Sequence, residues 1–181
     1  MGDPRKPHNK YSSPRKVWDA ERIKTEGKLK SVYGLKNTRE IWVILQALKR
    51  ARRDAMKYLS MGEAGKEKAS PLMARLARLG IISADSKIDD VLSLSVESFL
   101  GRRLQTLVMK KGMARTARQA RQLITHGFIS VKGRKVTIPS YAVTAEEEGY
   151  VGYYKPIDIS VHEEGPKKKE APAQPAAEAT E

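Results

Sequence analysis

The chain has 181 residues, 40% of them hydrophobic and 31% charged, with a formal net charge of +14. That length suits one or two small domains, and that charge points to a polyanionic partner, nucleic acid ahead of an anionic membrane surface. With no cysteine, a disulfide framework and a thiolate metal site are excluded, and no apolar run approaches the roughly 20 residues of a bilayer span.

Residues 1–17 read as a basic extended arm. Pro4, Pro7 and Pro14 interrupt Arg5, Lys6, Lys10, Arg15 and Lys16, and no apolar period runs through them, so the arm is expected to order only on a phosphate backbone. It lacks the apolar stretch of a secretory signal, and Lys6 stands where an acylation signal wants Ser or Thr. A soluble, intracellular protein is expected.

Residues 18–94 are expected to form a helical domain. A first helix starts at Trp18 or Asp19 and runs to about Ser31, with Ile23 and Leu29 inward and Tyr33-Gly34 as its stop. A second is capped by Asn37, with Glu40 three residues on. Its inward stripe is Ile41, Ile44, Leu45, Leu48, Ala51, Ala55, Met56 and Leu59, while Arg50, Arg53 and Lys57 fall on another face. Residues 62–69 read as a loop or frayed end. Ser70-Pro71 then signals a new helix that Gly80 stops, carrying Leu72, Met73, Leu76 and Leu79. Ile81-Ile82 and Ile88 to Leu94 read as connecting apolar pieces, with Asp89-Asp90 capping a turn.

Residues 95–162 read as a nucleic-acid-binding module with added edge strands. From Ser98 to Ala145 there is no Asp or Glu, while Arg and Lys recur throughout. A helix is expected from Ser95 to about Lys111, stopped by Gly112 in the left-handed conformation. Thr116 caps the next, with Gln119 completing a Thr-x-x-Gln box, and Gly127 stops it. Ala117, Ala120, Leu123 and Ile124 point in; Arg118, Arg121, Gln122 and Thr125 form the outward stripe. Phe128 to Val131 and Val136 to Ile138 are expected to pair across a Lys132-Gly133-Arg134 turn, with a further short strand at Tyr141 to Thr144. Tyr150 to Tyr154 and Ile157 to Val161 would add edge strands. The resulting class is α+β: a helical region, then two helices on an antiparallel β-meander. Residues 163–181 collapse to Pro, Ala, Glu and Lys and are expected to be a disordered acidic tail.

No catalytic constellation appears. His8, His126 and His162 lack metal-ligand spacing, no Lys-Ser/Thr follows Gly62 or Gly65, and no nucleophile has a base beside it. A binding surface is present instead: the start of the second module helix sets free N–H groups beside Arg115 and Arg118, a phosphate seat. Exposed aromatics are scarce in the module, which favours structured RNA over single strands. Base-reading Asn and Gln are also scarce, and the basic footprint is broad, which argues against a helix-turn-helix DNA reader. No DNA, membrane or cofactor is expected.

Arg102 to Val143, with its R-R-L start, G-x-A-R-[ST]-x-x-Q-A-R centre and I-x-V-x-G hairpin followed by P-S-Y, resembles the RNA-binding module named after small-subunit ribosomal protein S-four. PRKVWDAERI (14–23), YGLKNTREIW (33–42) and LMARLARLGII (72–82) resemble the archaeal and eukaryotic branch of that ribosomal family. The resemblance spans roughly residues 11–145. It implies a non-enzymatic constituent of the small subunit that binds ribosomal RNA, nucleates assembly of the body, touches neighbouring proteins (notably the fifth), lines the messenger RNA entry channel and influences decoding accuracy. Many bacterial members carry a cysteine zinc knuckle; this chain has none, so no metal is carried over. The alternative is an accessory factor that binds ribosomes or structured RNA. The expected RNA contacts are Arg102, Arg103, Lys110, Arg115, Thr116, Arg118, Gln119, Arg121, Gln122, His126, Lys132 and Arg134 of the module, with Arg50, Arg53 and Lys57, and Arg5, Lys6, Arg15 and Lys16 of the arm.

Overall fold

The computed structural model describes residues 9–83 and 85–155. The expectations for Arg5, Lys6 and His8 of the arm, for an edge strand at Ile157 to Val161, and for the 163–181 tail lie outside the described residues.

Helix α1 (Ala20–Val32) starts where the Asp19 carboxylate accepts the Arg22 N–H at 3.3 Å. Its inward face is only partly the expected one: Leu29 packs on the core around Leu35 and Ile41. Ile23 is 46% exposed, and the buried residue is Glu26, whose carboxylate accepts from Arg22 Nη1 at 2.9 Å and Trp42 Nε1 at 3.0 Å. A carboxylate with two such donors is stable inside, and an apolar count cannot foresee it. Arg22 also donates to the carbonyls of Lys16 and Val17, and the Tyr11 ring lies 5.9 Å from that of Trp42. The described part of the arm is thereby laid across α1 and α2.

Helix α2 (Thr38–Ser60) is the spine, packing on α1, α3 (Glu63–Arg78), α4 (Ile88–Ser93) and α5 (Val96–Gly101). Ile41, Leu48, Ala51 and Ala55 are buried as the period predicts, but Met56 is 58% exposed. The Asn37 side chain makes no capping bond. Helix α3 overturns the expected loop: it begins at Glu63, seven residues before the Ser70-Pro71 signal, and runs through Pro71. Its first turn presses on α2 so closely that a Cβ on Gly65 would sit 1.9 Å from the Tyr58 carbonyl. Ala69 is sealed beneath. Burial there holds the turns before Pro71 and offsets both the backbone donor the proline lacks and the crowding of its ring against the carbonyl four residues earlier. In α4, Asp90 accepts the Lys87 N–H at 2.8 Å, the expected capping role.

The expected helix from Ser95 to Lys111 is two helices. Arg103 leaves the helical region (φ −74°, ψ 143°) between α5 and α6 (Leu104–Lys110) and bridges Ala142. Leu104 N–H donates to the Tyr141 carbonyl at 2.8 Å, and Val143 N–H to that of Arg102 at 3.0 Å. The expected Tyr141–Thr144 strand is reduced to this bridge. The break lets Val96, Phe99 and Leu100 pack into the two helical cores, around Leu48 to Leu94 and around Leu35 and Ile41. Leu104, Leu107 and Val108 join α7 (Ala117–Thr125) in the core of the module instead.

Gly112 and Gly127 adopt φ +73° and +76° as the stops require. Strands β1 (Ile129–Val131) and β2 (Arg134–Lys135) join through Lys132 (φ 50°) and Gly133 (φ 73°), a two-residue turn with both centres left-handed. Arg134 is therefore a strand residue paired with Val131, not part of the turn. A single helical turn, α8 (Ala145–Glu148), is boxed by Thr144 and Glu147. Strand β3 (Val151–Tyr153) then returns to the free side of β1, giving the antiparallel order β2-β1-β3. The fold is α+β, with β1 at the centre of the sheet rather than first in a sequential meander.

Candidate nucleic-acid interface

Two sets of arginines diverge once the chain is folded. Arg103 is 4% exposed, and its Nη2 meets Glu40 Oε2 at 2.5 Å. Arg121 Nη2 meets the other oxygen of the same carboxylate at 2.8 Å. Arg102 Nη1 binds Glu148 Oε2 at 2.6 Å. These three were expected to face outward; the structure turns them into the protein. For Arg103 and Arg121 the reason is a single carboxylate on α2, far away in sequence, that pairs with both guanidiniums at the seam with the module; for Arg102 it is Glu148. Burial alone would raise the Glu40 carboxyl, but hydrogen bonds from Arg121 and Arg103 outweigh it and hold the group below its ordinary range.

Gln105 reinforces the seam. It is 1% exposed, and its amide donates to the carbonyls of Ala117 at 2.8 Å and Gly34 at 3.0 Å. Gly34 has φ +59°, and a Cβ there would lie 2.8 Å from that of Ala117, so the α1–α2 loop and the start of α7 fit only with glycine at that point. The α7 face is fixed relative to α2.

On the other side of α7, Arg115, Thr116, Arg118, Gln122 and His126 are exposed. The Thr116 hydroxyl accepts the Gln119 N–H at 3.1 Å, and the half-buried Gln119 side chain accepts the Arg115 N–H at 2.8 Å. The box closes one residue earlier than expected, on Arg115 instead of Thr116. The N–H groups of Ala117 and Arg118 have no partner inside the helix, and they open between two arginines. Lys110 and Lys111 end α6, and Lys132, Arg134 and Lys135 cover the hairpin; all are exposed. Lys111 donates to the Glu148 carbonyl, and Lys132 lies 4.0 Å from Glu146, an exposed pair of little strength.

On α2, Lys49, Arg50, Arg53 and Lys57 are exposed, while Arg52 donates to the Leu94 carbonyl at 2.5 Å. Arg15 and Lys16 of the arm are also exposed. The sequence reading missed Glu40 and Gln105 as organisers and Trp18 as an exposed aromatic. The last had a signal: an indole between Lys16 and the cap Asp19, outside the helical period. Among the described residues no three His, Cys, Asp or Glu side chains converge, and no helix is long and apolar enough to cross a membrane.

The S4 domain family matches residues 102–148, which holds α6, α7 and the hairpin. Small ribosomal subunit protein uS4 of Methanothermobacter thermautotrophicus is 47% identical over 85% of this chain and 91% of its own. That of Ignicoccus hospitalis is 47% identical over 84% and 93%. The chain belongs to the uS4 family. The Thermoplasma acidophilum relative, 43% identical, aligns over 100% of this chain and 94% of its own, so the likeness includes the helical region and both termini. The uS4 family is a structural ribosomal one and not enzymatic.

Proposed function

We propose that the chain is a structural constituent of the small ribosomal subunit in the cytoplasm. It binds small-subunit ribosomal RNA directly, helps to nucleate assembly of the subunit body and contributes to decoding accuracy. The observation that carries the RNA-binding part is the outer face of α7 and the hairpin. Arg115, Arg118, Gln122, Lys132 and Arg134 stand exposed there, on a backbone fixed to α2 through Glu40 and Gln105. Phosphate binding by such a face releases counterions and supplies most of the affinity, and forked guanidiniums suit phosphate oxygens. Lys110 and His126 flank the face, and Arg50, Arg53 and Lys57 of α2 form a second basic strip. Arg15 and Lys16 of the arm add to it, and Arg5 and Lys6, earlier in the sequence, are proposed to contribute likewise.

Arg102, Arg103 and Arg121 act differently in this reading: they position the face from behind and leave phosphate contact to the outer set. Neighbouring small-subunit proteins, the fifth among them, and messenger RNA are the further partners proposed.

Sedimentation of a cell extract at low and high salt tests the assignment. Co-migration with the small subunit, lost only under strongly dissociating salt, is the expected result. Recovery mainly in the free fraction would instead support an accessory RNA-binding factor.

A further inference from the structure

The chain has two tryptophans, and the structure treats them in opposite ways. Trp42 is half-buried, with its indole N–H donated to Glu26. Trp18 is 91% exposed, the most exposed large apolar side chain among the described residues. An indole carries a large apolar area that folding ordinarily removes from water.

Trp18 does not sit on loose chain. It occupies the turn before α1, and on its N-terminal side the carbonyls of Lys16 and Val17 are gripped by Arg22 Nη2 at 3.3 and 2.9 Å. Arg22 is in turn clamped by buried Glu26. On the other side the Asp19 carboxylate is turned back onto the Arg22 N–H. The indole is therefore presented outward from a fixed mount.

Its surroundings are cationic. Lys10, Arg15, Lys16, Lys24 and Lys28 are exposed along the arm and α1 and make no ion pair among the described residues. Of the acids nearby, Asp19 is engaged on the cap and Glu26 in the interior, which leaves Glu21 in the first turn of α1 as the exposed one against these five cations. A flat exposed π-face on a stretch of chain rich in exposed cations matches an unpaired nucleobase whose flanking phosphates meet lysines and arginines. A paired base is closed to it, because both its faces are stacked within the helix.

We propose that Trp18 is a stacking platform for an unpaired base of the bound RNA, a contact of a different kind from the phosphate-binding face on α7. The inference rests on the RNA-binding reading above.

The test uses the full chain, with poly(A) as the single strand and poly(A)·poly(U) as the duplex. Both are expected to bind through charge. Poly(A) alone should quench indole emission, and the quench should vanish in Trp18→Phe, which keeps Trp42 as the sole tryptophan. Trp18→Ala should weaken poly(A) binding about tenfold and leave duplex binding unchanged, with Trp18→Phe intermediate. If poly(A) binds without quenching and Trp18→Ala binds it as tightly as the parent, the platform is refuted while the RNA-binding reading stands. If neither RNA binds, both fall. Quenching by another small-subunit protein, but not by poly(A), would assign Trp18 to a protein contact and overturn the proposal.

Discussion

The seam behind α7 and the face in front of it are made of the same residue type. Arg103 and Arg121 lie behind, Arg115 and Arg118 in front, all within 19 positions of one acid-free stretch. Behind, a carboxylate on α2 takes both guanidiniums; in front, among the described residues, Arg115 and Arg118 meet no acid. The rear pair fixes orientation, and the front pair offers charge to a partner. What separates them is the position of one acid, so a run of positive charge specifies a polyanion-binding element without specifying which of its cations bind.

The sharpest way to break the comparison is to remove that acid. Glu40→Ala strands Arg103, whose side chain is 5% exposed, beside a second unpaired guanidinium. Breaking a buried pair in this way costs about 3–5 kcal/mol, which chemical denaturation would read. Replacing Glu40 by Leu and Arg103 by Met together should recover part of that loss, since two apolar groups need no partner. Arg121→Glu sets a carboxylate against Glu40 and should also destabilise. A combined reversal of Arg118 and Arg121 therefore tests folding as much as binding. If Glu40→Ala unfolds like the parent, the seam is not what holds the module.

The matching change in front is Arg115→Glu with Arg118→Glu. Both side chains are exposed, so stability should move by no more than about 0.5 kcal/mol. RNA affinity should fall about 100-fold and lose part of its salt dependence, because fewer counterions are released. Filter binding across a salt series reads both quantities. Unchanged affinity in this folded double variant would remove α7 from the interface.

Acid distinguishes the two sets more gently. Glu40 ionises at a lower pH in the folded chain than its ordinary 4.5. Its contribution to stability is therefore complete above the unfolded value and is lost as the pH falls through the depressed one. Glu147, held low first by the Thr144 N–H and then by the Thr144 and Tyr141 hydroxyls, acts in the same sense. Denaturation midpoints should thus fall as pH drops below about 4.5, and Glu40→Gln should flatten that limb. An unaltered limb would mean that other carboxylates carry it.

What could be read from sequence follows from how far each signal travels. Thr116, Gly112 and Gly127 were legible because a cap and a left-handed stop are decided within a few residues, and the buried face of α7 follows from its period. Glu26 was not legible, because its donors are Arg22 four residues on one side and Trp42 sixteen on the other. Pro71 misled for a related reason: the turn before it is held by Gly65 against Tyr58, a contact between helices. The break at Arg103 needs the Tyr141–Val143 segment, some 40 residues later, to supply backbone partners. The inward turn of Arg103 and Arg121 needs an acid 63 and 81 residues away. The exposure of Arg115, Arg118, Lys132 and Arg134 is what an uncompensated charge does by default.

The smallest expected effect lies where the two sides meet. Thr116 caps α7 from the front, while its neighbour Ala117 receives Gln105 from behind. Thr116→Ala removes the acceptor for Gln119 N–H and should cost about 1 kcal/mol. Thr116→Ser, which keeps the hydroxyl, should cost much less. Because Gln105 still holds the Ala117 carbonyl, the helix start should stay in place, so RNA affinity should drop only slightly while the unfolding midpoint moves measurably. If affinity instead falls as far as in the Arg115 and Arg118 double variant, the hydroxyl itself is a phosphate ligand, and the boundary between framework and face lies one residue further forward than the hydrogen bonds place it.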